Sequence, residues 1–221
     1  MSRSDARRRW IGWGIIAVIV LGTVSYVGVT LRRPEPPTFA PSPLEARPAE
    51  GRLVGPAVYT VDARDWDRWR FFSFSQGTVV ENPRPFDWDL AFRRFQVIVN
   101  GGSDFPGMGG VVDLGEVPFD SVLVLPEGGY QGTRVAQGDS VTAAFDDWYR
   151  YSFLSHLLSP GPEVYGIRTA DGRYAKLRFL GYYCPGAQPG CVTFEYVYQG
   201  AGGPELGTGA SDPALETEDP G

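Results

Sequence analysis

The sequence predicts a β-rich body, residues 51–199, behind a single N-terminal transmembrane helix. Three observations predict it. Residues 10–31, WIGWGIIAVIVLGTVSYVGVTL, contain no charge. The body breaks into short runs of β-branched and aromatic residues bounded by Gly, Pro or Asp. The 29 Gly and 19 Pro among 221 residues exceed the usual combined share of roughly 12% and fit a turn-rich protein.

Charge divides along the chain. Residues 1–33 hold six arginines and one acid, a balance of +5, which leaves −11 for the rest of a chain whose net charge is −6. A body this acidic repels phosphate backbones, so no nucleic-acid partner is expected. One histidine, one lysine and two cysteines leave most catalytic and metal-site schemes without side chains.

The elements follow in order. Residues 1–9, with Arg7, Arg8 and Arg9, read as a cytoplasmic N-terminus under the positive-inside rule. At 1.5 Å per residue, a helix over 10–31 spans a hydrocarbon core of about 30 Å. Trp10, Trp13 and Tyr26 lie towards its ends, where amphipathic rings favour the headgroups. The expectation is an uncleaved single-pass anchor in the lipid bilayer with an exported body. A cleaved signal peptide competes, but the apolar stretch is long for one and no small-x-small site follows it. Residues 32–50 form a linker in which PEPPTFAPSPLEARP favours extended polyproline geometry, a spacer in preference to a strap across a partner.

In the body, Ala57–Val61, Trp69–Phe74 and Val122–Leu125 read as strands. Trp88–Val99 reads as one long strand whose alternation slips at Arg93–Arg94, as a β-bulge would cause. Thr142–Leu158 reads as helical or mixed, with Phe145, Trp148, Tyr149 and Phe153 at helix-like spacing, halted by Pro160. Val164–Thr169 and Arg173–Tyr183 form a hairpin through Asp171–Gly172, with Ala175, Leu177 and Phe179 on one face and Tyr174, Lys176 and Arg178 on the other. Val192–Tyr198 closes the set. Cys184 and Cys191 bracket a Pro/Gly turn, so a structural disulfide is the reading; they form no C-x-x-C pair and have no metal-binding neighbours. Residues 200–221 are an acidic Gly/Pro-rich tail without apolar pattern, expected to be disordered in isolation.

Three segments together carry a resemblance: Trp88-Asp-Leu-Ala-Phe-Arg-Arg-Phe with Asn100-Gly-Gly; Trp148-Tyr-Arg-Tyr with His156-x-Leu-x-Pro160; and Val164 through Phe179, continuing to Gly190-Cys-Val-Thr-Phe-Glu-Tyr. From about 57 to 198 the chain resembles the HmuY-like family of exported haem-binding proteins. The resemblance implies an all-β, mostly antiparallel domain with few helices. Family members that bind haem hold the iron between two axial His or Met side chains, and Met108 with His156 is the one standard pair available here, tyrosine being a further haem ligand among 11 candidates. His156 reads equally as a packed turn residue.

Catalysis is not expected. Ser155 and His156 are adjacent and point apart, Asp87 and Asp89 read as solvated acids at a strand entrance, Asp146 and Asp147 as another acidic pair, and the glycines at 101–110 lack the lysine of a phosphate loop. A family domain with so few ligands, on an anchor and strap, suggests reuse as a non-catalytic structural subunit without a cofactor of its own. In that form the chain looks like an accessory subunit of a bacterial photosynthetic reaction centre–antenna complex. Its partners would be integral membrane subunits and their bound pigments or lipids, approached through Gly12, Gly14 and Gly22. Its location would be the bacterial inner membrane with the body in the periplasm. The alternative is a membrane-tethered haem-binding protein.

Overall fold

The computed structural model describes residues 3–31, 35–49 and 51–207, without the side chains of 3–9, 11 and 29–31. The chain forms two compact units, Met1–Pro36 with Tyr151–Leu157, and Pro37–Arg150 with Leu158–Gly221.

The first unit contains α1, Arg3–Leu31. Trp10, Trp13, Ile15, Val18, Leu21 and Tyr26 are exposed along it. Among the described residues, no helix is long and apolar enough to cross a membrane. This corrects the expected anchor over 10–31 and the single-pass inner-membrane location built on it. Gly12, Gly14, Gly22, Thr23, Ser25, Tyr26 and Gly28 dilute the apolar residues of α1. The side chains of Arg7, Arg8 and Arg9 lie outside the described residues, as do Arg32, Arg33 and 208–221.

The second unit is the β body, and its antiparallel pairing matches the fold class. A five-stranded sheet has the order β1 (Leu53–Asp62), β13 (Gln188–Gln199), β12 (Tyr174–Cys184), β11 (Tyr165–Arg168), β6 (Gly110–Asp113). A four-stranded sheet has the order β3 (Thr78–Val80), β2 (Arg70–Ser73), β4 (Leu90–Arg93), β5 (Gln96–Val99). Two ribbons, β7 (Arg134–Ala136) with β8 (Asp139–Val141) and β9 (Tyr149–Tyr151) with β10 (Leu158–Pro160), complete the strands.

Aromatic rings from both larger sheets make the core. Phe72 of β2 meets Phe194 of β13 edge-on at 5.1 Å, Phe92 of β4 stacks on Phe194 at 5.5 Å, and Phe74 meets Tyr196 at 5.4 Å. Such pairs contribute about 0.5–1.5 kcal/mol each beyond their burial. On the other face of the four-stranded sheet, Trp88, Ala91 and Ile98 are buried with Trp69, Phe71 and Phe105 against them. Trp88 therefore packs apart from Leu90 and Phe92, which line the inner face with it in the period-2 reading.

Three local expectations are corrected. The slip at Arg93–Arg94 is a hairpin: Arg93 pairs with Gln96, and Arg94 turns the chain at φ 55°. Reversal of direction, and no bulge, moves the apolar phase. Over Thr142–Leu158 there is no α-helix; a three-residue 3-10 turn, Ala143–Phe145, buries Phe145 and is followed by β9. Its β-branched and aromatic residues are weak helix formers. Val122–Leu125 lies in irregular backbone joined by a single bridge, Val124 to Glu205.

Residues 38–49 of the proline-rich segment are not a free spacer. Phe39 N–H donates to the Tyr183 carbonyl, Ser42 N–H to Thr60, Arg47 N–H to Gln76 and Ala49 N–H to Ser75, so residues 38–49 run along their own body. Phe39 fills the space that Gly181 leaves open, where a Cβ would come within 2.5 Å of its ring. At the other end, Leu206 N–H donates to the Leu123 carbonyl and the Leu206 side chain is buried, so residues 204–206 pack on the body.

Candidate functional site

The Asn100-Gly-Gly segment builds a close-packed loop from its backbone upward. Gly101 forms an antiparallel bridge to Met108, and Gly109 N–H donates to the Asn100 carbonyl at 2.8 Å. The strands of this loop meet almost without side chains: a Cβ on Gly101 would lie 2.1 Å from the Gly109 oxygen, and one on Gly109 would lie 2.3 Å from the Asn100 oxygen. The Asn100 amide nitrogen donates to the Pro85 and Trp88 carbonyls at 2.7 and 2.8 Å.

Asp89 holds this loop to the five-stranded sheet. Its carboxylate is 6% exposed and accepts the Phe74 N–H on Oδ2 at 2.8 Å and the Ala170 N–H on Oδ1 at 2.9 Å. The Ala170 carbonyl in turn accepts the Met108 N–H at 2.9 Å. Burial pushes the Asp89 carboxyl up to about 6, against the pull of the two amides. Asp89 is therefore a buried clasp, which corrects its reading as a solvated acid beside Asp87.

Met108 is presented outward by this loop. Its side chain lies over the Gly172 turn and is 53% exposed. His156 belongs to the other unit. Its N–H donates to the Ser152 carbonyl at 2.8 Å, its φ is 56°, and its Nδ1 is hydrogen-bonded to the Tyr151 hydroxyl at 2.6 Å. The imidazole is exposed. Ser155 takes no part in that hydrogen bond; its N–H donates to the Ser152 hydroxyl at 3.3 Å.

Haem chemistry can be tested against these donors. Axial ligation needs a thioether or imidazole with a free lone pair and access to solvent. Met108 has both. When the Nδ1–H of His156 donates to the Tyr151 oxygen, Nε2 keeps its lone pair, the second-shell arrangement that orients ligating imidazoles. The donor chemistry fits. The cavity framed by Phe95, Val97, Thr142, Phe145 and Tyr149 is about 150 Å³, too small for a porphyrin. Among the described residues, no cluster of three His, Cys, Asp or Glu could hold a metal ion.

Cys184 and Cys191 form a disulfide, with Cα atoms 4.9 Å apart, across the β12–β13 turn. Lys176, placed on the outer face of β12, is buried because residues 117–125 cover it: its Nζ donates to the Phe119 and Val122 carbonyls at 2.6 and 2.8 Å. Sequence reasoning missed Asp89. The pairing of β4 with β5 (Leu90 opposite Val99), which sets Asp89 beside Asn100, offered a signal for it once that hairpin is recognised.

Comparison with known proteins places these features in context. The family model described as HmuY protein matches residues 65–196. The apo HmuY analogue of Tannerella forsythia superposes with a TM-score of 0.55 at 18% identity, covering 67% of this chain and 97% of that one. A candidate HmuY-like haem-binding protein from Bacteroides vulgatus gives 0.52 at 22% identity, covering 70% and 96%. A candidate lipoprotein from Bacteroides fragilis gives 0.54 at 17% identity, covering 70% and 93%. At these identities the likeness shows the fold. No curated protein matches the chain.

Proposed function

We propose, from the premise that this chain belongs to the HmuY family, that it is a non-catalytic haem-binding protein. The supporting observation is the Tyr151–His156 pair: an exposed imidazole whose Nδ1 is engaged, leaving Nε2 to meet an iron. Met108, in the other unit, is a separate candidate donor, held outward by the Asn100-Gly-Gly loop and by Asp89 through Ala170. Haem, when bound, supplies an iron that accepts one axial donor on each face. Tyr151 is a positioning residue: with its oxygen accepting from Nδ1–H, Nε2 keeps the lone pair that ligation needs. Titrating the full chain with haemin is expected to give a sharp low-spin Soret band. That band is expected to be lost in His156→Ala, reduced in Met108→Ala, and weakened in Tyr151→Phe. A wild-type chain without the band, or a band indifferent to both donor variants, overturns the proposal.

A second reading is favoured by a different observation. The first unit exposes large apolar side chains, among them Val18, Leu21, Phe153 and Leu154. Exposed apolar surface of this extent marks association. It supports a structural subunit of a larger protein assembly, the photosynthetic reaction centre–antenna complex being its most specific form. If haemin fails to bind, co-migration of the full chain with other subunits on size separation decides for this reading, and migration alone decides against it.

A further inference from the structure

Met108 shares its turn with a second side chain that the fold leaves unused. A Cβ on Gly172, whose φ of 84° favours glycine, would lie 2.6 Å from the Met108 methyl and 3.6 Å from its sulfur. The same point is 4.0 Å from Nη2 of Arg168. Thioether and guanidinium therefore flank one turn, and both belong to the β body. The strand register places Arg168 there. Ile167 is buried on the core face, so Arg168 points to the opposite face of β11, between Tyr174 of β12 and Gly110 of β6.

The neighbouring charges are already engaged. Arg173 donates to Asp171, and Arg178 donates to Glu195 at 2.7 Å. The Asp171 carboxylate also accepts the Thr169 hydroxyl at 2.6 Å, so it is satisfied without Arg168. Arg168 makes no ion pair or hydrogen bond among the described residues. Its Nε is enclosed without a partner while neither Nη is, so the outer edge of the guanidinium is what it offers to a ligand. An enclosed stem fixes the aim of that edge and lowers the entropy lost on binding. A planar edge with two donors is matched by a carboxylate.

The pairing with Met108 narrows the ligand. A simple carboxylate would use Arg168 alone, and a bare soft metal ion would use Met108 alone. Haem uses both, because its iron takes a thioether and its propionate arms are carboxylates. Resting on the haem reading above, we infer that Arg168 anchors a haem propionate beside Met108, so that this turn binds haem through two chemically distinct contacts.

The test compares haemin with its dimethyl ester, which keeps the iron and loses both carboxylate charges, by absorbance titration of the full chain in one dilute non-ionic detergent. The part of haemin binding that Met108→Ala removes is expected to weaken about tenfold or more in Arg168→Gln, as loss of a charge-assisted hydrogen bond implies, and to recover in part in Arg168→Lys. The Soret position of bound haemin stays where it was, since Arg168 does not touch the iron. The ester binds wild type and Arg168→Gln alike, and in a Met108→Ala background Arg168→Gln leaves the remaining binding unchanged. Equal haemin affinities of wild type and Arg168→Gln, or an ester that binds as tightly as haemin, overturn this inference and leave axial ligation standing. Binding indifferent to Met108→Ala overturns it as well, and a wild-type chain that binds no haemin overturns it together with the haem reading. If Arg168→Gln fails to fold, the ester still decides: the advantage of haemin over the ester should disappear in Met108→Ala, and an advantage that persists there overturns the inference.

Discussion

Replacing Asp89 by alanine is expected to cost on the order of 3–4 kcal/mol, because it leaves the buried Phe74 and Ala170 amides without an acceptor. Asp89→Asn retains one acceptor oxygen and is expected to cost less, about 1–3 kcal/mol. The two variants also differ in pH dependence. The folded state raises the Asp89 carboxyl to about 6 from 3.8, so folded protein holds this proton more tightly than unfolded protein does. Its contribution is complete below about 3.8 and is lost as pH rises through 6. Between those limits the slope approaches about 1.4 kcal/mol per pH unit. Denaturant midpoints of the wild type should therefore rise from pH 7 to pH 5, and those of Asp89→Asn should not. Asp62 and Asp139 act oppositely: hydrogen bonds from Arg64 and Gln96 hold them below 3.8, so their stabilisation fades only at lower pH. A wild-type midpoint that falls from pH 7 to pH 5 would refute the account of Asp89.

Gly109→Ala is expected to destabilise the protein by about 2–4 kcal/mol, although its φ is not in the left-handed region. The added Cβ would meet the Asn100 oxygen at 2.3 Å and its carbonyl carbon at 2.7 Å, and both are backbone atoms without a rotamer to change. The loop must open, taking with it the Gly109–Asn100 hydrogen bond and the register that points Met108 outward. Gly128→Ala, which meets nothing within 4 Å, is the control and should stay within about 0.5 kcal/mol. Thermal melts and haemin spectra of the pair check both halves: Gly109→Ala should lose stability and the Met108 contribution together. A Gly109→Ala protein that melts like the control would show that the loop relaxes freely.

The strands that carry alternation were legible. Ala175, Leu177 and Phe179 are buried as a set, and so are Phe194, Tyr196 and Tyr198, because each face of those strands has one fixed neighbour. The disulfide was legible for a related reason, since few residues separate its halves. Positions whose environment comes from distant chain were not. Lys176 lies on a face that alternation assigns to solvent, and only residues 117–125 make it buried. Asp89 looks like a strand-entrance acid until Ala170 is brought to it across 81 residues of sequence. The Arg93–Arg94 hairpin was hidden because its turn contains no glycine; Arg94 occupies the left-handed region that such turns usually reserve for Gly or Asn. At the candidate site, the sequence supplied Met108 and His156 as donors, while their supports, the Gly101–Gly109 contact and the Tyr151 hydroxyl, needed three dimensions.

The covering of Lys176 also gives the protein a built-in reporter. It is the chain's only lysine, and both carbonyls that hold its ammonium belong to residues 117–125. Burial lowers its affinity for a proton only while the segment is closed, and once uncovered it is an ordinary primary amine, nucleophilic at alkaline pH. Acylating reagents therefore modify the folded body at this amine only at the rate at which that segment lifts. A mass shift mapped to Lys176 thus times one local opening, against a background in which the 19 arginines stay silent.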